Sequence, residues 1–185
     1  DDLVLCMNET LTIVMPMKVW TPGLHGFRSK HMHSSRAMIP AHIELCSVMR
    51  SDRVKLEERL QLTNRLVKLC RSLSTFGYSL SCLKWDELQK ALYLEPDSLE
   101  PFFKLRRSLQ QVLGIEPDIR EVHRMRLTLA MGSELGEYKL VEAFHLLNGD
   151  LLPLKCRATE LEIYTKRNGD WLLREAIPFR ESEDN

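Results

Sequence analysis

The chain has 185 residues, 44% of them hydrophobic and 28% charged, with 26 Lys+Arg balanced by 26 Asp+Glu. That much apolar chain excludes a disordered protein and predicts one α+β domain over residues 1–185. Zero formal net charge excludes a uniformly basic nucleic-acid binder, and no apolar run is long enough to span a membrane as a helix.

The start, Asp1-Asp2-Leu3, lacks an initiator Met and a basic stretch, so it reads as the beginning of a fragment and not as a signal peptide. Five widely spaced cysteines (Cys6, Cys46, Cys70, Cys82, Cys156) form an odd set. They predict buried thiols in a reducing, cytoplasmic compartment, with peripheral membrane or virion attachment compatible with it. From Leu11 to Val19 apolar residues alternate with Thr12, Val14, Pro16 and Lys18, which predicts a strand; Pro16, lacking an N–H, places it at a sheet edge. Residues 21–40, rich in Gly, Ser, His and Pro, read as a mobile basic loop.

Between Ala41 and Ser74 the period becomes helical: Leu62, Leu66, Leu69 and Leu73 form one stripe, flanked by Leu56, Leu60, Val67 and Cys70. Asp86 followed by Gln89 resembles a capping box for a short helix from Glu87 to Leu94. Ser98 is placed as the cap of a further helix with Phe102, Leu105, Leu109 and Val112 on its inner face and Gly114 as its C′ residue. Period two returns where Met125, Leu127, Leu129 and Met131 alternate with Arg124, Arg126 and Thr128, a half-buried strand with a basic outer face. A short helix over Leu140–Leu147 ends at Asn148-Gly149. Asn168-Gly169 between two alternating segments predicts a closing hairpin, and residues 181–185 a frayed acidic tail. The expected fold class is therefore α+β: an antiparallel sheet made by the N-terminal strand, the C-terminal strand and the hairpin, packed against a helical middle segment.

No nucleophile elbow and no Gly-rich phosphate loop occurs, so catalysis would need residues scattered in sequence, with His123 or His145 as centres. His31, His33, His42 and Cys46 are the one cluster that resembles metal ligands, but their spacing matches no zinc pattern, and no cofactor or metal is assigned. Lys18, Arg28, Lys30 and Arg36, with Met32, Met38 and Ile39 in the same segment, suit contact with an anionic membrane or a partner. Arg124 and Arg126 suit contact with nucleic acid.

The order of the last third carries a family resemblance. A strand Met125-Arg126-Leu127-Thr128-Leu129-Ala130-Met131 leads to a helix ending near Phe144-His145-Leu146-Leu147-Asn148. The hairpin from Leu161 to Leu173 follows, with Lys166-Arg167, Gly169-Asp170-Trp171 and a terminal Phe179-Arg180. Over residues 122–180 this resembles the C-terminal part of rhabdovirus matrix proteins. The resemblance implies a non-enzymatic structural protein that self-associates and links the nucleocapsid to the inner membrane face during virion assembly and budding. The alternatives are an intracellular nucleic-acid-binding accessory module, such as a silencing suppressor, or an enzyme whose site is scattered in sequence.

Overall fold

The computed structural model describes residues 8–19, 21–32, 39–51, 56–116, 125–132, 134–167 and 170–181. Eight strands are β1 (Asn8–Pro16), β2 (His42–Ser51), β3 (Phe76–Asp86), β4 (Ala91–Pro96), β5 (Leu127–Met131), β6 (Leu154–Ala158), β7 (Glu160–Arg167) and β8 (Asp170–Pro178). Four helices among the described residues are α1 (Pro22–His31), α2 (Leu56–Ser72), α3 (Glu100–Leu113) and α4 (Glu137–Asn148). The strands form one sheet in the order β6-β3-β4-β5-β2-β1-β7-β8, every neighbouring pair antiparallel.

The expected α+β class holds, and the N-terminal strand does join the C-terminal hairpin: Ile13 of β1 pairs with Ile163 of β7, and Lys166 of β7 with Trp171 of β8. β1 is nevertheless an interior strand, not an edge. Pro16 is its last residue, where a missing N–H costs no ladder bond, and flanking strands bury Thr12 and Val14 as well as Ile13 and Met15.

The middle departs further from expectation. Residues 42–51 are strand β2, with Ile43, Leu45 and Cys46 buried on one face between strands β1 and β5. Asp86 does accept bonds from the N–H groups of Leu88 (3.1 Å) and Gln89 (3.0 Å), as a cap would. The chain uses that chemistry to turn, with Lys90 at positive φ, and returns as β4 beside β3. Two of the predicted ends are in place: Gly114 adopts the left-handed conformation (φ 66°) at the end of α3, and α4 ends at Gly149. The N-cap of α3 is Leu99, not Ser98.

The segment expected as a loop over residues 21–40 contains α1. Pro22 suits its first turn, and Leu24 and Phe27 enter the core, where Phe27 meets Phe144 of α4 edge-on at 5.5 Å. Gly23 permits this contact: a Cβ there would lie 2.8 Å from the Leu147 carbonyl oxygen. A glycine that reads locally as a loop signal is a helix-packing residue in the fold.

The sheet divides into two four-stranded halves, β6-β3-β4-β5 and β2-β1-β7-β8. They meet through a single registered pair, Ile43 with Leu127. One cluster of buried side chains from the sheet and all four helices, including Ile43, Leu66, Phe102, Leu127 and Phe144, fills one side of that seam. The other side is open.

Candidate functional site

The seam forms a cleft of about 270 Å³. β2 and β5 line it with the same pattern. His42, Glu44 and Ser47 of β2 face the cleft, as do Arg126, Thr128 and Met131 from the β5 segment, whereas Ile43, Leu45 and Cys46, like Leu127, Leu129 and Ala130, belong to the core. A bulge in each strand produces the double inward step. Along β1, Ile13 pairs with Cys46 and Val14 with Glu44, leaving Leu45 extra; along β4, Leu92 pairs with Ala130 and Tyr93 with Thr128, leaving Leu129 extra. Bulges re-aim side chains without breaking the sheet. Because Ile43 faces Leu127 in antiparallel register, His42 stands opposite Thr128 and Glu44 opposite Arg126.

Among the described residues three cations line the cleft: Arg28, Arg126 and Lys166. Arg126 is buried and rigidly held, donating from Nη1 to Asp86 Oδ2 and from Nη2 to Gln89 Oε1, both at 2.9 Å, with its guanidinium 4.1 Å from the Tyr93 ring centroid. Burial works against the Asp86 charge, but the Gln89 and Leu88 N–H groups and Arg126 outweigh it and hold the carboxyl below its usual range.

Arg28 of α1 is only 5% exposed. Its hydrogen bonds go to backbone carbonyls, Nε to Thr128 O at 2.9 Å and Nη1 to Ile39 O at 3.5 Å. Burial pulls its guanidinium down to about 10. A buried cation of this kind, bordering a cleft, is suited to receive an anion.

His42 Nδ1 lies 2.6 Å from the Pro40 carbonyl oxygen. A carbonyl only accepts, so Nδ1 carries the proton and Nε2 is the basic nitrogen. On β1 and β2, Thr12 Oγ1 and Ser47 Oγ are hydrogen-bonded at 2.6 Å. At the far end Lys166 Nζ lies 5.3 Å from the centroid of the Trp171 ring, whose buried Nε1–H has no hydrogen-bond partner among the described residues.

Several residues singled out from sequence meet here, though not as an exposed loop. Arg28, Met32 and Ile39 are buried cleft walls, and Arg126 lies among them. Lys30 is exposed near the end of α1, and Lys18 is exposed and paired with Glu160 at 2.6 Å. Arg36, Met38, Arg124, His123 and His33 lie outside the described residues. His145 is exposed on α4, away from the cleft lining. His42 and Cys46 sit on opposite faces of a strand, and no group of three metal-ligating residues occurs among the described residues. Sequence reasoning missed Thr128, and His42 except as a metal ligand. Their signal is faint: two segments, His42-Ile43-Glu44-Leu45-Cys46-Ser47 and Arg126-Leu127-Thr128-Leu129-Ala130-Met131, in which polar, apolar, polar is followed by two apolar residues.

No family model matches the chain, and no curated protein matches it in sequence. Solved structures do. Escherichia coli LigT without ligand superimposes with a TM-score of 0.58, at 14% identity, over 94% of this chain and 98% of that one. The fold is LigT-like. LigT complexed with 3'-AMP gives 0.57 at 13% identity, over 93% of this chain and 98% of that one. A structure described as a phosphoesterase gives 0.55 at 12% identity, over 92% and 98%.

A LigT-like fold over almost the whole chain overturns the matrix-protein resemblance, which rested on a third of it. Strand, helix and hairpin do follow one another here, but the strand, β5, lies at the seam of the sheet and the hairpin, β7-β8, at the outer edge of the other half. The expectation of a structural protein without enzymatic activity, serving virion assembly and budding, is overturned with it. A structure described as a phosphoesterase carries this fold. No helix among the described residues is long and apolar enough to cross a membrane.

Proposed function

We propose that the cleft binds and cleaves a nucleotide-type phosphoester, with His42 as the proton-transfer group. The observation that carries this reading is Arg28, a buried guanidinium whose partners among the described residues are backbone carbonyls, lining one cleft with Arg126 and bonded to Thr128, which stands across the strand pair from the His42 imidazole. Two guanidiniums offer forked donors to phosphoryl oxygens, and the Thr128 hydroxyl can add another. His42, its Nδ1–H fixed on Pro40, holds Nε2 ready to take a proton from an attacking oxygen. Trp171 and Lys166 give the distal end a flat aromatic face beside a cation, suited to a base or a second phosphate. LigT structures in complex with phosphate, 3'-AMP, ATP and NADP+ support a phosphorylated, nucleotide-like ligand for a cleft of this fold.

The test is hydrolysis of a panel of dinucleoside phosphoesters and phosphoanhydrides by the purified chain. His42→Ala is expected to lower kcat/KM on the order of 10²–10⁴-fold, the usual contribution of a positioned acid–base group. Unchanged turnover in that variant would remove His42 from the chemistry and the reading with it.

A further inference from the structure

Among the described residues the proton-transfer groups of the cleft are distributed unevenly, which bears on the bond it can break. His42 on β2 faces Thr128 on β5; diagonally across stands Arg126, occupying the place on β5 that His42 occupies on β2. An imidazole can take or give a proton near neutrality. A guanidinium cannot give one up, but it neutralises negative charge permanently. Arg126 is moreover immobilised by Asp86, Gln89 and Tyr93, so it is a preorganised cation. The Lys166 ammonium is too distant to serve: it lies on β7, two strands beyond β2 or roughly 10 Å sideways, and pairs in register with Thr10, at the end of β1 remote from His42.

Resting on the function proposed above, we infer that the preferred substrates are phosphoanhydrides, cleaved at the P–O–P bridge, and not phosphodiesters with an alcohol leaving group. Water's oxygen bonds to phosphorus and gives one proton to His42 Nε2. The bond from phosphorus to the bridging oxygen breaks, and its electron pair leaves with that oxygen, now a terminal phosphate oxygen. The departing phosphate needs no proton, because phosphate oxygens ionise at a pKa of about 6. It needs countercharge, which Arg126 and Arg28 supply. His42 then releases its proton to solvent. An alkoxide leaving group would require a donor opposite the base, where this cleft has a guanidinium.

The experiment compares di(adenosine-5′) diphosphate, an anhydride, with adenylyl-3′,5′-adenosine, a diester of similar size. Expected is a kcat/KM at least 100-fold higher for the anhydride, with a pH–rate profile that rises through one ionisation to a plateau. Comparable rates on both substrates, with a bell-shaped profile, would overturn the inference while leaving the phosphoester reading intact. No turnover of either, or turnover that survives His42→Ala, would overturn both. Glu44→Gln tests the remaining acidic side chain of the cleft: the anhydride-to-diester ratio is expected to stay constant, and a changed ratio would assign the missing proton to Glu44 and reject the inference.

Discussion

Arg28 illustrates how a single side chain can be costly to the fold and useful to the site. Among the described residues its hydrogen bonds go to two carbonyls, which only partly replace the hydration a buried guanidinium loses. Replacing it with an apolar side chain of similar length, Arg28→Met, is therefore expected to stabilise the free protein by about 1 kcal/mol, read from a denaturant midpoint, while weakening inorganic phosphate binding at least tenfold. The converse holds for the ligand: phosphate at about 100 times its Kd should raise the stability of the wild type by about 2.7 kcal/mol and that of Arg28→Met by much less. A loss of stability in Arg28→Met would mean that its carbonyl bonds, not a ligand, account for its burial. Asp86 shows the opposite balance. Its carboxyl titrates lower in the folded than in the unfolded chain, so the stabilisation from its bonds to Arg126 and the turn is complete above the ordinary carboxylate range and is lost as pH falls through the depressed value.

Single elements show why local patterns were only partly readable. The end of α3 is legible because it is local: Ile115 N–H bonds to Gln110 O at 2.9 Å and Gly114 N–H to Gln111 O at 3.3 Å, a closure that needs positive φ at Gly114. Gly114→Ala is expected to cost about 1 kcal/mol, measured by thermal or denaturant unfolding, with phosphate affinity unchanged. Strand β2 was illegible for the reverse reason. Its alternation of cleft-facing His42 and Glu44 with core-facing Ile43 is short, and the bulge at Leu45 shifts its phase before Cys46 and Ser47. Between β3 and β4, Asp86 and Gln89 satisfy a helix-cap pattern, but the chain there turns back so that β4 pairs with β3 on one side and β5 on the other.

At the scale of the whole molecule, the junction of the two halves does the organising. Only Ile43 and Leu127 register β2 against β5, so the strands diverge to either side and leave a cleft where a continuous ladder would have closed the sheet. Truncating this contact, Leu127→Ala, is expected to cost about 3 kcal/mol in unfolding experiments. It should also reduce phosphate affinity, since Arg126 and Thr128 flank the same residue. A destabilised variant with full affinity would show that the seam and the cleft are independent.

What the sequence determined by itself is what depends on near neighbours or on bulk composition: an α+β class, the final hairpin, the helices over 56–72, 100–113 and 137–148, and a set of basic residues that includes Arg28 and Arg126. Tertiary structure alone decided that α1 is a helix, that β2 to β4 are strands, and that His42, Arg28 and Arg126 share one cleft although 14 to 98 residues separate them in the chain. The physical reason is that strand pairing and burial are settled by partners distant in sequence. A one-residue bulge, which local composition hardly marks, chooses whether a side chain meets the core or the ligand.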